Sequence, residues 1–161
     1  MAGKVEILGI GQLHKSFANL RQDMILKTSR RMVASGGSVV RTEAKKIAQS
    51  YGLRKSGALI RNIAIKRERN APSGTEQYNL GVRHGRDLGN GKKVVKYLVQ
   101  NSRGRIVTKR ENDPFYWRFL EFDTKFRKAT SFIQKALENK RDQAIQAMHD
   151  RLNKDIERAN Q

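Results

Sequence analysis

Asp113, Glu121, Asp123 and Lys125 are the residues of this chain whose types and spacing could support chemistry. Carboxylates converging on Mg²⁺, with a lysine beside the attacking water, make the site of a metal-dependent nuclease. Asp123-Thr124-Lys125 has the required acid-to-lysine spacing, and a basic chain could hold DNA against it. Charged triplets at the end of an element are common, however, and Asp113 before Pro114 reads equally well as an ordinary turn. In that structural reading Glu121 pairs with a neighbouring arginine or with backbone donors. The structural reading is preferred, and nuclease chemistry is the lesser alternative.

Other chemical signatures are weak. His14, His84 and His149 are scattered, and none has a carboxylate or second histidine at the spacing of a metal site. Gly89-Asn90-Gly91-Lys92-Lys93 lacks the glycine spacing and following hydroxyl of a phosphate loop, so a plain turn explains it. There is no Gly-x-Ser-x-Gly elbow. The absence of cysteine excludes disulfides, thiol catalysis and cysteine-based zinc sites. No catalytic residue, cofactor or metal is assigned, and the chain does not read as an enzyme.

The elements that must position these residues are bounded by composition. A length of 161 residues suits one domain over 1–161 with its own core. Hydrophobic content is 37% and charged content 30%, which predicts a thin core whose burial is completed by partners. Lys and Arg number 34 against 15 Asp and Glu, a net charge of +19. Such a field attracts nucleic acid or an acidic protein surface. No apolar run approaches the roughly 20 residues that cross a bilayer, and the start lacks the apolar core of a signal peptide. The expectation is a cytoplasmically made protein with no membrane contact.

Along the chain, 5–10 reads as a short strand or extended arm. Leu13, Phe17, Leu20, Met24, Ile25, Ser29, Met32, Gly36, Val40, Ala44, Ile47 and Tyr51 recur at helical steps, predicting a helix over 12–50, bent near Asp23. Each glycine of the internal Gly36-Gly37 pair costs up to ~1 kcal/mol against alanine, so the pair marks either a close helix crossing or a kink. Gly52 is placed to end the helix. Strands are expected at 63–69 and 78–83, paired as an antiparallel hairpin. The bulky run Phe115, Tyr116, Trp117, Phe119 and Phe122 predicts a strand over 115–122 that forms the heart of the core. A final helix starts near 130–131, where Thr and Ser are good N-caps, and presents Ile133, Leu137, Ala144, Ile145, Met148, Leu152 and Ile156 on one face. The fold class is α+β: a small, mostly antiparallel sheet against long N- and C-terminal helices.

Residues 84–112 form an excursion, with a Gly-Asn-Gly loop followed by a projecting basic β-hairpin of strands at 94–100 and 105–109. Lys92, Lys93, Lys96, Arg103, Arg105, Lys109 and Arg110 are its candidate contacts to DNA or to an acidic surface. Phosphate neutralisation would be salt-dependent and blind to sequence. The plainer reading is a solvated ribbon whose charges discourage edge-to-edge aggregation. Tyr97 is its one aromatic, so a base-stacking platform is not indicated.

The order of elements resembles the small neck or tail-completion proteins (minor tail, head–tail joining) of long-tailed bacteriophages. Three places carry the resemblance: the opening Val5-Glu6-Ile7-Leu8-Gly9-Ile10, the segment Ser56-Gly57-Ala58-Leu59-Ile60-Arg61-Asn62-Ile63, and Tyr116-Trp117-Arg118-Phe119-Leu120-Glu121-Phe122-Asp123-Thr124 followed by Ser131-Phe132-Ile133-Gln134-Lys135-Ala136-Leu137. The last is similar to the family's aromatic-x-x-x-x-Glu-Phe-Gly-Thr, a gap, then Pro-Phe-Leu-Arg-Pro-Ala-Leu. Asp123 stands for the family glycine, Ser131 for its first proline, and Gln134-Lys135 for Arg-Pro.

The resemblance implies a non-enzymatic virion protein, assembled in the host cytoplasm into a homo-oligomeric, hexameric ring. The ring would join portal-side connector proteins to tail-tube or tail-terminator proteins around the DNA channel. Gly57, Tyr116, Glu121, Phe122, Thr124 and Phe132 would then serve subunit or partner contacts. A basic, sequence-independent nucleic-acid-binding protein is the alternative. The assembly reading rests physically on the aromatic strand lying in a sheet that sister subunits finish covering.

Overall fold

The two prolines of the chain are Pro72 and Pro114, so nothing interrupts helix formation in its first third. In the computed structural model, which describes residues 10–53, 56–72, 74–85 and 95–159, helix α1 runs unbroken over Ile10–Ser50. Its 41 residues span roughly 60 Å at 1.5 Å per residue. Of the strand or arm expected at 5–10, Ile10 is instead the first residue of α1, while 5–9, the Gly-Asn-Gly loop, Lys92 and Lys93 lie outside the described residues, as do the side chains of Leu13, His14, Phe17 and Leu20.

Gly52 ends α1 as expected. At φ 67° it takes a left-handed conformation, with its N–H on the Gln49 carbonyl and the Leu53 N–H on the Ala48 carbonyl. This pair of bonds is the Schellman arrangement, and Leu53 packs back on the core. A turn at Gly57 (φ 69°) leads into the short helix α2, Ala58–Asn62. Strands β1 (Ile63–Arg67) and β2 (Tyr78–Val82) follow, antiparallel, with Ile63 opposite Val82 and Ile65 opposite Leu80. Those four residues share one face and meet α1; Ala64, Lys66, Asn79 and Gly81 lie on the other. Strands β3 (Val95–Gln100) and β4 (Ile106–Glu111) make a second antiparallel hairpin. The strands therefore form two separate two-stranded sheets rather than one.

The strand expected at 115–122 is absent. Phe115–Trp117 is a 3-10 turn and Arg118–Glu121 a short helix, α3, so the bulky segment lies outside both sheets. The physical reason is a helical period overlaid on β-favouring residue types. Tyr116 and Leu120 turn inward while Phe115, Phe119 and Phe122, at steps of four and three, point to solvent.

Helix α4, Phe132–Ala159, runs antiparallel to α1, with Lys135 beside Tyr51, Ala147 beside Ser35 and Asp155 beside Arg31. The glycine question is settled by their crossing. A Cβ on Gly36 would run into the Met148 side chain and stand 3.0 Å from the Ala144 carbonyl oxygen, so a larger residue there would force Met148 aside and press on the α4 backbone. Ser35 Oγ donates to the Ala147 carbonyl (2.9 Å) at the same level. Gly37 faces Ile65 of β1, where a Cβ would stand 3.3 Å from Cγ2. The core continues along α1 through Val40, Ala44 and Ala48 to Leu59, Ile63, Leu120, Phe132 and Ala136. Phe132, Leu59, Ile63 and Pro114 are its largest fully buried side chains, so the core is thin, as the composition predicts.

Charge fastens the first hairpin to α1. Glu76, 5% exposed, takes both arms of Arg67 at 2.7 Å and Arg30 Nε at 3.1 Å. The Arg67 guanidinium, seconded by Arg30, holds its carboxyl at about 2, below the ordinary 4.5. A depressed carboxylate contributes stability that is complete above its unfolded value and disappears as pH falls. The midpoint of thermal unfolding should therefore be level above pH ~5 and fall between about 4.5 and 2, whereas Glu76→Gln should start lower and lose less across that window. Gly36→Ala should lose about 1–2 kcal/mol in chemical denaturation, because overpacking at the crossing outweighs the better helix propensity of alanine. A kink would give the opposite sign.

Candidate functional site

The candidate site is built on the chain between β4 and α4. Asn112 adopts φ 60°, and Asp113 behind it is 4% exposed, its Oδ1 accepting the Gly85 N–H at 3.0 Å. Arg110 Nη1 stands 3.8 Å from the other carboxylate oxygen. Asn62, also buried, donates to the carbonyls of Ala58 (2.9 Å) and Asn112 (3.4 Å). Entry and exit of the 84–112 excursion are thus tied together at one point.

From Pro114 the chain turns through Phe115–Trp117 into α3. Proline suits the start of a helical turn because its missing N–H is not needed there. Leu120 and Glu121 go inward, and the Leu120 carbonyl accepts from both Thr130 N (2.7 Å) and Ser131 N (3.3 Å). Glu121, 7% exposed, reaches across to the first turn of α4: Oε2 accepts the Ile133 N–H and Oε1 the Gln134 N–H, each at 3.0 Å. Those amides have no partner inside the helix, and a carboxylate there also meets the positive end of the helix dipole. The expected Ser or Thr cap is not the one used. Ser131 instead takes φ 50° and donates its hydroxyl to the Glu121 carbonyl (3.2 Å). A proline, with φ fixed near −65°, could not adopt that conformation.

Between these anchors, residues 122–131 form a loop that carries aromatic side chains outward. Asp123 Oδ1 accepts the Ala129 N–H at 2.6 Å. Thr124 and Arg127 exchange backbone hydrogen bonds at 3.0 and 3.3 Å, and Thr124 Oγ1 accepts from Arg127 N at 3.1 Å. This turn holds Lys125 and Phe126 at its tip, where Phe126 is 94% exposed. Phe115, Phe119 and Phe122 are exposed as well. Guanidinium groups lie over two rings of this segment: Arg110 is 5.0 Å from the Phe115 ring and Arg118 5.8 Å from Trp117.

Of the residues the sequence singles out, Glu121, Phe122, Thr124 and Phe132 come together here. Glu121 and Phe132 are buried within the chain, whereas Phe122 is exposed. Tyr116 is half-buried against the core, and burial pushes its hydroxyl pKa up. Gly57 sits apart, in the turn before α2. On the second hairpin Lys96 stands opposite Arg110 and Tyr97 opposite Lys109, while Asn101 Oδ1 organises the tip by accepting from Arg103 N and Arg105 N at 3.0 and 2.9 Å. The side chains of Lys96, Arg103, Arg105, Lys109 and Arg110 are exposed, and so are Leu98 and Ile106. Phe115, Phe119 and Phe126 are absent from the sequence-based site. The steps of four and three linking Phe115, Phe119 and Phe122 were the available signal for the first two.

The nuclease constellation is not gathered. Asp113, Glu121 and Asp123 each accept from backbone N–H groups, and Lys125 is at the loop tip. Among the described residues no group of three or more His, Cys, Asp or Glu is placed to hold a metal ion, and no helix is long and apolar enough to cross a membrane.

The described residues thus form an α+β frame with a thin core and large aromatic side chains turned outward. The profile of the family described as "Bacteriophage HK97-gp10, putative tail-component" matches residues 11–122, well over half of the chain. The chain belongs to this family of phage tail components, and as such is a virion protein that contacts other virion proteins. Neither a curated protein nor a solved structure matches it significantly. The match ends at Phe122, so the Phe126 turn and α4 lie beyond it.

Glu121→Ala should cost about 1–3 kcal/mol in denaturant unfolding, because two buried N–H groups lose their acceptor. Amide exchange should accelerate first at Ile133 and Gln134. Equal exchange rates in wild type and variant would show that the cap contributes nothing.

Proposed function

We propose that this tail component acts as one unit over 1–161 and closes into a ring at the neck or tail top, joining the head connector to the tail tube around the DNA channel. The observation that carries the reading is the exposure of three phenylalanines, Phe119, Phe122 and Phe126, at 58%, 62% and 94%. Large apolar groups left in water on a chain with so thin a core favour burial against neighbours. An aromatic strand within a sheet, the expected basis of assembly, is absent; family membership and the exposed rings support the reading. Connector and tail-tube or tail-terminator proteins are the partners this role requires.

A second reading concerns the β3–β4 hairpin. Lys96 opposite Arg110 places like charges on one face, and the Asp113 carboxylate 3.8 Å from Arg110 offsets them only in part. Phosphates of DNA in the channel would offset them further. In that case duplex affinity falls linearly with salt on logarithmic axes, with the slope reduced by about 0.9 for each phosphate contact removed.

The test is the double variant Phe119→Ala/Phe122→Ala in phage assembly. Its folded stability should change little, since both side chains are exposed, while incorporation into tails and the yield of infectious particles should drop by roughly tenfold or more, the scale of losing an aromatic anchor. Purified wild-type protein should be monomeric or weakly associated and form rings with its partners. Normal incorporation of the variant would refute the reading.

A further inference from the structure

A groove of ≈ 550 Å³ runs between α1, α4 and the β1–β2 hairpin, walled by Val33, Ile65, Leu80, Leu137, Ile145 and Met148. Leu137 and Ile145 on its α4 side are 55% and 56% exposed, so nothing within the described chain covers them. The same chain carries a knob that nothing covers either, Phe126 at the tip of the Thr124–Arg127 turn. We infer that the Phe126 turn of one copy seats in the α1–α4 groove of the next.

Charge supports this pairing over a random apolar contact. The knob is basic, with Lys125, Arg127 and Lys128 around Phe126. On α4, Glu138 and Asp142 stand seven and three positions before Ile145 of the groove wall, which places two carboxylates along its solvent edge against the one cation among its lining residues, Arg141. An apolar plug with a basic collar thus meets a mostly apolar slot whose edge carries one more acid than base, on a chain whose net charge is +19 and whose copies otherwise repel. At physiological ionic strength, screening over about 8 Å removes most of that general repulsion and leaves the short-range contacts. Knob and groove are different patches, so the contact is heterologous and each copy keeps one of each free. Such a contact propagates into a closed ring or an open filament.

The inference rests on the ring reading but can fail separately from it. The chain has no cysteine, so the single variants Phe126→Cys and Ile145→Cys, mixed and oxidised, should give a disulfide heterodimer, while either alone should not react at that contact. Phe126→Ala, at a side chain that makes no core contact, should leave the unfolding midpoint unchanged and weaken self-association about tenfold or more in sedimentation. Lys125→Glu and Asp142→Lys should each weaken association, and the two together should restore part of it. Assembled rings without the Phe126–Ile145 crosslink would overturn this contact and leave the ring standing. A chain that stays monomeric at every concentration and never enters tails would overturn both. Normal self-association of Phe126→Ala, with loss only of tail incorporation, would assign the knob to a different protein and overturn the inference.

Discussion

The close crossing of α1 and α4 at Gly36 is the constraint on which the rest of the molecule depends. Two helices of 41 and 28 residues can approach this closely only where side chains nearly vanish. Gly36, Ala44 and Ala48 supply that on α1, with Val40 on the same face, and Ala136 and Ala144 on α4. Close approach gains dispersion contacts between backbones but leaves little interior volume for large side chains. Phe132 takes one of the few places available, and most of the remaining phenylalanines are turned out.

That exclusion explains the form of the 110–131 segment. Its phenylalanines find no place in the crossing, so the chain coils through a 3-10 turn and a short helix that buries Leu120 and Glu121, and Phe115, Phe119, Phe122 and Phe126 are left exposed. A buried carboxylate is costly unless its oxygens are satisfied, and Glu121 meets the requirement with amides that α4 leaves over. One side chain therefore fixes where α4 starts and how the Phe126 turn is presented. The order of causes runs from small residues in the helices to a single buried acid, and from there to the outer surface.

Much of this was legible in the sequence. The period of 3.6 marked both long helices, the absence of proline gave α1 its length, Gly52 gave its end, and alternation gave both hairpins with their antiparallel pairing. The aromatic segment was misread because residue type and residue period disagreed there. Bulky rings favour strands, but their spacing was helical, and tertiary contacts at Leu120 decided in favour of the spacing. That Glu121 accepts from backbone donors was within reach of the sequence, but which donors was not, since they lie twelve and thirteen residues away and a Ser at the usual cap position offered a simpler answer. Alternation identifies strands but says nothing about whether two hairpins share a sheet, and the projecting hairpin forms a sheet of its own.

The tie between Gly85 and Asp113 has an evolutionary consequence. Because the excursion leaves and re-enters the frame at a single hydrogen-bonded neck, its length is almost uncoupled from the stability of the helices; doubling a flexible loop costs only about 0.6 kcal/mol. The hairpin is thus a replaceable cassette, free to drift or be exchanged as the molecules it meets change. The helical frame, where one added methyl group at Gly36 is felt, has no such freedom.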